Sequence, residues 1–223
     1  QSAATPGVGV ALRDVLEQQG LASEILAEGC CGALDYHLGA HGAGKERMRN
    51  VIDQLYERLD EIECIVSMAT GCGVTIKDYP YILRQDPGYA KRAEQVVRKL
   101  VDAVELFTNL PVRLEGRVAV HTPCTMQHGL KLVGGIERLL VDAGAEIVPH
   151  RNGHLCCGSA GTYSMLEPDW SRHLRDDKIV CLTANRPEVI VTANIGCQLQ
   201  LDGASDDVPV MHWLEFVAEQ LPN

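Results

Sequence analysis

Ile65-Val66-Ser67-Met68-Ala69-Thr70-Gly71-Cys72 and Ile190-Val191-Thr192-Ala193-Asn194-Ile195-Gly196-Cys197 are two versions of one stretch. Each opens on a short apolar run and closes on Gly-Cys. Cys-Cys-Gly stands about forty residues upstream of each, at Cys30-Cys31-Gly32 and Cys156-Cys157-Gly158. The offset is 125 residues at the single cysteines and 126 at the pairs, so one indel separates the copies. Further upstream, Leu12-Arg13-Asp14-Val15-Leu16 before Gly20 matches Ile136-Glu137-Arg138-Leu139-Leu140 before Gly144. The chain reads as two repeats of roughly 110 residues, 1–110 and 111–223, joined near Leu110-Pro111-Val112.

Hydrophobic periodicity places elements around these fixed points. In the second copy it predicts strands at 117–121, 145–148, 189–192 and 209–211. Helices are expected at 127–143, at 169–184 behind Pro168, where proline is tolerated, and at 212–220. In the first copy it predicts strands at 22–27 and 62–68, and helices at 45–59 and 89–108. Alternating strands and helices imply an α/β fold with a parallel sheet. The expected architecture is two tandem repeats related by a pseudo-twofold, each a small, mostly parallel sheet flanked by helices. Every repeated cysteine is then expected just past the C-terminal end of a strand, where open α/β sheets bind ligands. A helix N-terminus there favours a thiolate. The adjacent glycines permit tight turns and close backbone approach.

Adjacent thiols plus a distant one suit a metal better than a disulfide. Disulfide geometry wants Cα atoms about 5.5 Å apart, so vicinal cysteines bridge only through a strained ring. Two adjacent thiolates can instead reach two corners, or one shared corner, of an iron–sulfur cluster. Cys124, Cys156, Cys157 and Cys197 are the expected ligands of one site, and Cys30, Cys31 and Cys72 those of a second. Cys124 precedes Cys156 by 32 residues, and the same step back from Cys30 falls before residue 1. The matching cysteine is therefore expected just outside this chain, as if the chain were cut inside the first repeat. Cys64, inside an apolar strand, and Cys181, inside a helix, read as small buried hydrophobes. Four thiolates also suit tetrahedral zinc, although the Cys-x2–4-Cys knuckles of structural zinc sites are absent. His121, His128 and His154 flank the second site, and His37 and His41 follow the first pair. Each is a candidate iron ligand or proton carrier as well as an ordinary loop residue. Tyr36 and Tyr163 fall at similar places after the two Cys-Cys-Gly motifs, as candidate donors to a cluster sulfur or a substrate. Lys91-Arg92 and Arg98-Lys99 read as a solvated helix face.

The bulk properties narrow the function. The chain has 223 residues, 46% of them hydrophobic, and nine cysteines. Residues 1–20 lack the pattern of a signal peptide, and no stretch approaches the ~18 apolar residues of a membrane span. Clustered cysteines in such a chain point to a reducing, cytoplasmic setting and to metal or redox chemistry. A net charge of −10 without a basic stripe excludes nucleic acid as a partner. No G-x-G-x-x-G follows a strand, and no Walker motif or Cys-x2-Cys-x2-Cys run occurs. A nucleotide, nicotinamide or flavin site is not expected within this chain.

Four segments carry a family resemblance: Gly29-Cys30-Cys31-Gly32-Ala33-Leu34-Asp35-Tyr36-His37, Pro123-Cys124-Thr125-Met126-Gln127-His128, His154-Leu155-Cys156-Cys157-Gly158-Ser159-Ala160-Gly161-Thr162-Tyr163 and Val191-Thr192-Ala193-Asn194-Ile195-Gly196-Cys197-Gln198. They resemble the tandem cysteine-rich (CCG) domain of glycolate oxidase iron–sulfur subunits. That group is related to the heterodisulfide reductases and to lactate-utilisation iron–sulfur proteins. The resemblance implies an electron-transfer module of a glycolate, or 2-hydroxy-acid, oxidase with [4Fe–4S] clusters. It implies FAD-containing partner subunits that hold the substrate site, an N-terminal ferredoxin-like domain in the parent chain, and a quinone-type acceptor. Membrane association would be peripheral, through the complex. Tyr36, Tyr163 and His128, placed beside the cysteine motifs, are the candidate cofactor neighbours. The heterodisulfide reductase relatives use a fifth cysteine in a Cys-x2-Cys pair. Here Thr75 and Gln200 stand three residues after Cys72 and Cys197, so non-cubane clusters and disulfide chemistry are disfavoured. A zinc-stabilised docking domain without a redox role is one alternative, and an L-lactate-utilisation or heterodisulfide-reductase-like subunit is another.

Overall fold

A computed structural model describes residues 5–26 and 29–222. The N-terminal helix α1 (Gly7–Gln18) buries Val8, Ala11, Leu12, Val15 and Leu16 on one face. It belongs to a compact unit formed by residues 1–23 and 107–223, while residues 24–106 form a second unit. These units are defined by packing. The boundary at 110/111 divides the sequence repeats and is a separate proposal.

In the unit 24–106, α2 (Ala33–His37) and α3 (His41–Tyr56) precede β1 (Ile65–Ser67). There follow α4 (Thr70–Lys77), α5 (Tyr79–Ile82), α6 (Ala90–Arg98), β2 (Leu100–Asp102) and α7 (Ala103–Leu106). Strands β1 and β2 pair in parallel, Ile65 opposite Leu100 and Ser67 opposite Asp102. Met48, Val51, Ile52 and Leu55 recur at helical spacing along α3, and they pack with Ile65, Tyr79, Val96 and Leu100 as one core. Each such side chain contributes about 1.5–3 kcal/mol on burial.

The other unit continues with β3 (Arg117–His121), a π-helical turn (Thr125–Leu130), α8 (Gly135–Asp142) and β4 (Glu146–Ile147). It ends with α9 (Tyr163–Leu166), α10 (Pro168–Thr183), β5 (Val189–Thr192), α11 (Ile195–Asp202), β6 (Val210–His212) and α12 (Trp213–Ala218). Its four parallel strands lie in the order β4-β3-β5-β6. All four residues of β5 are buried, and all but the first of β3, as a sheet covered on both faces requires.

The repeat is visible in local structure. Helices α3 and α10 have sixteen residues each, and α4 and α11 eight each. Both last strands end in the same cap. The Glu105 carboxylate accepts from the Asp102 N–H while Asp102 Oδ1 accepts from the Val104 N–H. Glu215 and His212 Nδ1 do the same for the His212 and Leu214 N–H groups. This is the reciprocal logic of a capping box.

Four expectations need correction. Residues 22–26 form no strand; Ala22–Ile25 are exposed and a lone extended segment has no ladder to hold it; Ala27 lies outside the described residues. The helix expected over 89–108 stops at Arg98, because Leu100–Asp102 pairs with the open edge of β1. Lys99 Nζ pins that switch by donating to the Leu59 and Ile62 carbonyls at 2.7 and 2.6 Å. The helix expected over 127–143 is split by the π-turn, with Lys131 and Gly134 at positive φ. Cys64 precedes β1, and both it and Cys181 are only partly buried.

Asp102 offers a pH test of this fold. Burial raises its carboxyl to about 6 from 3.8. A raised carboxyl stabilises the folded state below its unfolded pKa, and that stabilisation is lost as pH rises through the folded value. Stability of unit 24–106 should therefore fall between pH 4 and pH 6, by roughly 3 kcal/mol at one pKa unit per about 1.4 kcal/mol. Asp102→Asn keeps the acceptor for the Val104 N–H and should abolish the fall. Urea midpoints at pH 4.5 and 7.5 check this; an unchanged difference in the variant contradicts it.

Candidate metal centre

From β3 the chain passes to β4 on one side, then returns to β5 on the other. The crevice beyond the C-terminal ends of β3 and β5 is thus a topological switch point, the usual ligand position in such sheets. Two cysteines are delivered there directly. Cys124 caps the π-turn after β3, and π-turns are frequent at functional sites. Cys197 is the third residue of α11, after β5. The Asn194 Oδ1 caps that helix, accepting from the Gly196 and Cys197 N–H groups at 2.9 and 3.3 Å.

Cys156 and Cys157 arrive differently. They lie in the loop between β4 and α9 rather than at a strand end, which corrects the expectation for the paired cysteines. Gly158 makes their turn, with φ +85° and its N–H donating to Cys156 Sγ at 3.3 Å. The loop then presses on α11: a Cβ on Gly196 would stand 2.8 Å from Ser159 Oγ. A side chain at 196 would therefore oblige the Ser159 hydroxyl to rotate away.

The four thiols lie in series, each acting on the ionisation of the next: Cys124 with Cys156, Cys156 with Cys157, and Cys157 with Cys197. Hydrogen bonds from Cys124 and Cys157 push the Cys156 thiol far down, and the same bonds push Cys124 and Cys157 up. Protons shared among crowded sulfurs are what a metal replaces on binding. Cys157 and Cys197, 1% and 6% exposed, belong to a core cluster with Ala119, Ile190 and Leu201. A third buried donor joins them: the ligand atoms of His121, Cys157 and Cys197 all lie within 4.8 Å of one another.

Residues 24–106 hold the related arrangement. Gly32, φ +81°, turns the chain, and its N–H donates to Cys30 Sγ at 3.5 Å. Cys72, third in α4, accepts a hydrogen bond from Cys31, which lowers its thiol to about 7 and raises that of Cys31. Tyr79 is fully buried and its Oη donates to the Cys31 carbonyl at 2.8 Å.

Two contributors, Lys178 and Tyr79, escaped the sequence reading. Lys178, 2% exposed, donates from Nζ to the Asn152 carbonyl at 2.6 Å. Burial lowers its pKa, and Cys157, Cys181, Cys156 and Cys197 act on it in the opposite sense. It is a buried cation beside the second thiol group, and its position on α10 carries no sequence signal. Tyr79 was legible only as seven residues, two helical turns, after Cys72. His121 was one histidine among several. Of the other candidates, Tyr36 is half-buried against the His41 ring at 4.7 Å. Tyr163 is half-buried at the start of α9, and His128 is exposed in the π-turn. The donor set fits a thiophilic metal: buried thiols, one imidazole, a nearby ammonium and two helix N-termini. Among the described residues, no helix is long and apolar enough to cross a membrane.

A cysteine-rich domain family model, CCG, matches residues 1–77 and 118–202. The glycolate oxidase iron-sulfur subunit of Escherichia coli (strain K12) is 42% identical over 99% of this chain and 56% of its own length. The probable glycolate oxidase iron-sulfur subunit of Bacillus subtilis (strain 168) is 31% identical over 86% of this chain and 46% of its own. Lactate utilization protein A of Anoxybacillus flavithermus (strain DSM 21510 / WK1) is 30% identical over 94% and 92%. This chain thus spans about half the length of the two glycolate oxidase relatives.

Proposed function

Because this chain belongs to the CCG cysteine-rich domain family, we propose that it is the metal-carrying part of an iron–sulfur electron-transfer subunit. The complex would be a flavin-dependent glycolate oxidase, an oxidoreductase whose substrate site lies on an FAD-containing partner. Electrons would pass from that flavin to a quinone-type acceptor, with the complex peripheral on the cytoplasmic face of the membrane. A ferredoxin-like domain of the parent chain would share the relay. The observation that carries this reading is the gathering of thiols at the sheet's switch point, where Cys157 and Cys197 lie within 4.8 Å of each other and of the His121 ring, with Cys156 and Cys124 next in line. The relatives' names supply the reaction.

Cys124, Cys156, Cys157 and Cys197 would hold one [4Fe–4S] cluster, and Cys30, Cys31 and Cys72 would contribute to another. When bound, such a cluster supplies a one-electron reservoir. The chain's own groups prepare the place. Asn194 orients the first turn of α11 under Cys197, the apolar core keeps water from Cys157, and Lys178 offsets thiolate charge. Tyr36, Tyr163 and His128 are the proposed polar neighbours of the two sites.

A lactate-oxidising complex is the second reading, favoured by the 92% coverage of the lactate utilization protein. Anaerobic purification with iron, sulfide and zinc analysis, and EPR before and after dithionite, tests the redox role. Iron and sulfide in equal amounts with a reducible signal are expected. One zinc without a signal would make this a zinc-stabilised docking domain.

A further inference from the structure

We infer that His121 is itself a ligand of the second metal centre, standing with Cys157 and Cys197 in place of one of the other two cysteines, which makes that centre a mixed imidazole–thiolate site rather than an all-cysteine one. The inference rests on the reading of this site as metal-binding.

His121 is the last residue of β3, 2% exposed, and sits in register with Thr192 at the end of β5. Its Nδ1 is 3.0 Å from Thr192 Oγ1. That leaves Nε2 as the nitrogen available to a metal. A metal-bound histidine almost always engages its other ring nitrogen with a fixed partner, which orients the ring; Thr192 fills that place. Donors around one tetrahedral ion at about 2.0–2.3 Å lie roughly 3.5 Å apart, so a set already within 4.8 Å closes on an ion by small side-chain rotations. Neutral imidazole is the form that binds metal. As a structural residue, the histidine would bury a polar ring for a single hydroxyl contact. As a ligand, its burial, its orientation and its proximity to two thiols share one cause.

The test uses the full chain, stripped of metal and titrated anaerobically with Co(II), for wild type, His121→Asn, His121→Cys and Cys157→Ser. His121→Asn should weaken cobalt at one site by at least about 100-fold, beyond the 10–100-fold typical of outer-shell losses, and shift its d–d bands. His121→Cys should restore binding with added thiolate-to-cobalt charge-transfer intensity. If His121→Asn retains the wild-type spectrum and affinity while Cys157→Ser loses the site, His121 is not a ligand although the metal site stands. If Cys157→Ser also changes nothing, the metal reading fails and this inference with it. Should His121→Asn not fold, His121→Cys decides: metal bound without added charge-transfer intensity overturns the inference.

Discussion

Cys157→Ser should empty the second metal centre and lower the stability of the metal-loaded protein by several kcal/mol, whereas Cys181→Ala should cost roughly 1 kcal/mol, the ordinary size for a small substitution. Cys157 is 1% exposed and hydrogen-bonded to both Cys156 and Cys197, so it is the middle of the thiol series. Serine keeps the shape but is a poor thiophilic ligand at neutral pH. Metal binding to a site absent from the unfolded chain is folding free energy, so the loss should shrink when wild type and variant are compared after stripping. Cys181 touches the Asn152 side chain at 3.8 Å and stands outside the series. Metal content by mass spectrometry and melting with and without chelator measure both. Equal metal loss in the two variants would contradict the ligand assignment.

Gly158→Ala should destabilise the protein by at least about 3 kcal/mol and release metal from the second site. Two costs combine. The left-handed conformation at φ +85° costs an alanine about 1–2 kcal/mol. A Cβ would also stand 2.4 Å from the Ser171 carbonyl oxygen, a backbone atom of α10 that cannot rotate away. Gly134→Ala separates the terms, because φ is +75° there and nothing lies within 4 Å of the added carbon; it should cost only about 1 kcal/mol. Gly32→Ala, with its Cβ 2.5 Å from the Gly44 carbonyl, should repeat the large effect in the unit 24–106. Urea midpoints give the comparison, and equal costs at Gly158 and Gly134 would refute the steric argument.

The repeat, the α/β class, the strands at 117–121 and 189–192 and the seven cysteines worth watching were all legible along the chain. Those signals are local: a buried parallel strand needs an apolar run, a chain reversal needs glycine, and the spacing of thiols survives in the primary structure. Packing decided the rest. Leu100–Asp102 is a strand because β1 offers it an edge, against its own helical periodicity. Cys157 meets Cys197 across forty residues of chain, inside a core shared with Ala119, Ile190 and Leu201. His121 and Tyr79 join the sites through contacts across 71 and 48 residues of chain, with Thr192 and Cys31. Lys178 joins through burial beside the thiols of the second site. Such partners are chosen by distance in space, and distance in space leaves no period or motif along the chain.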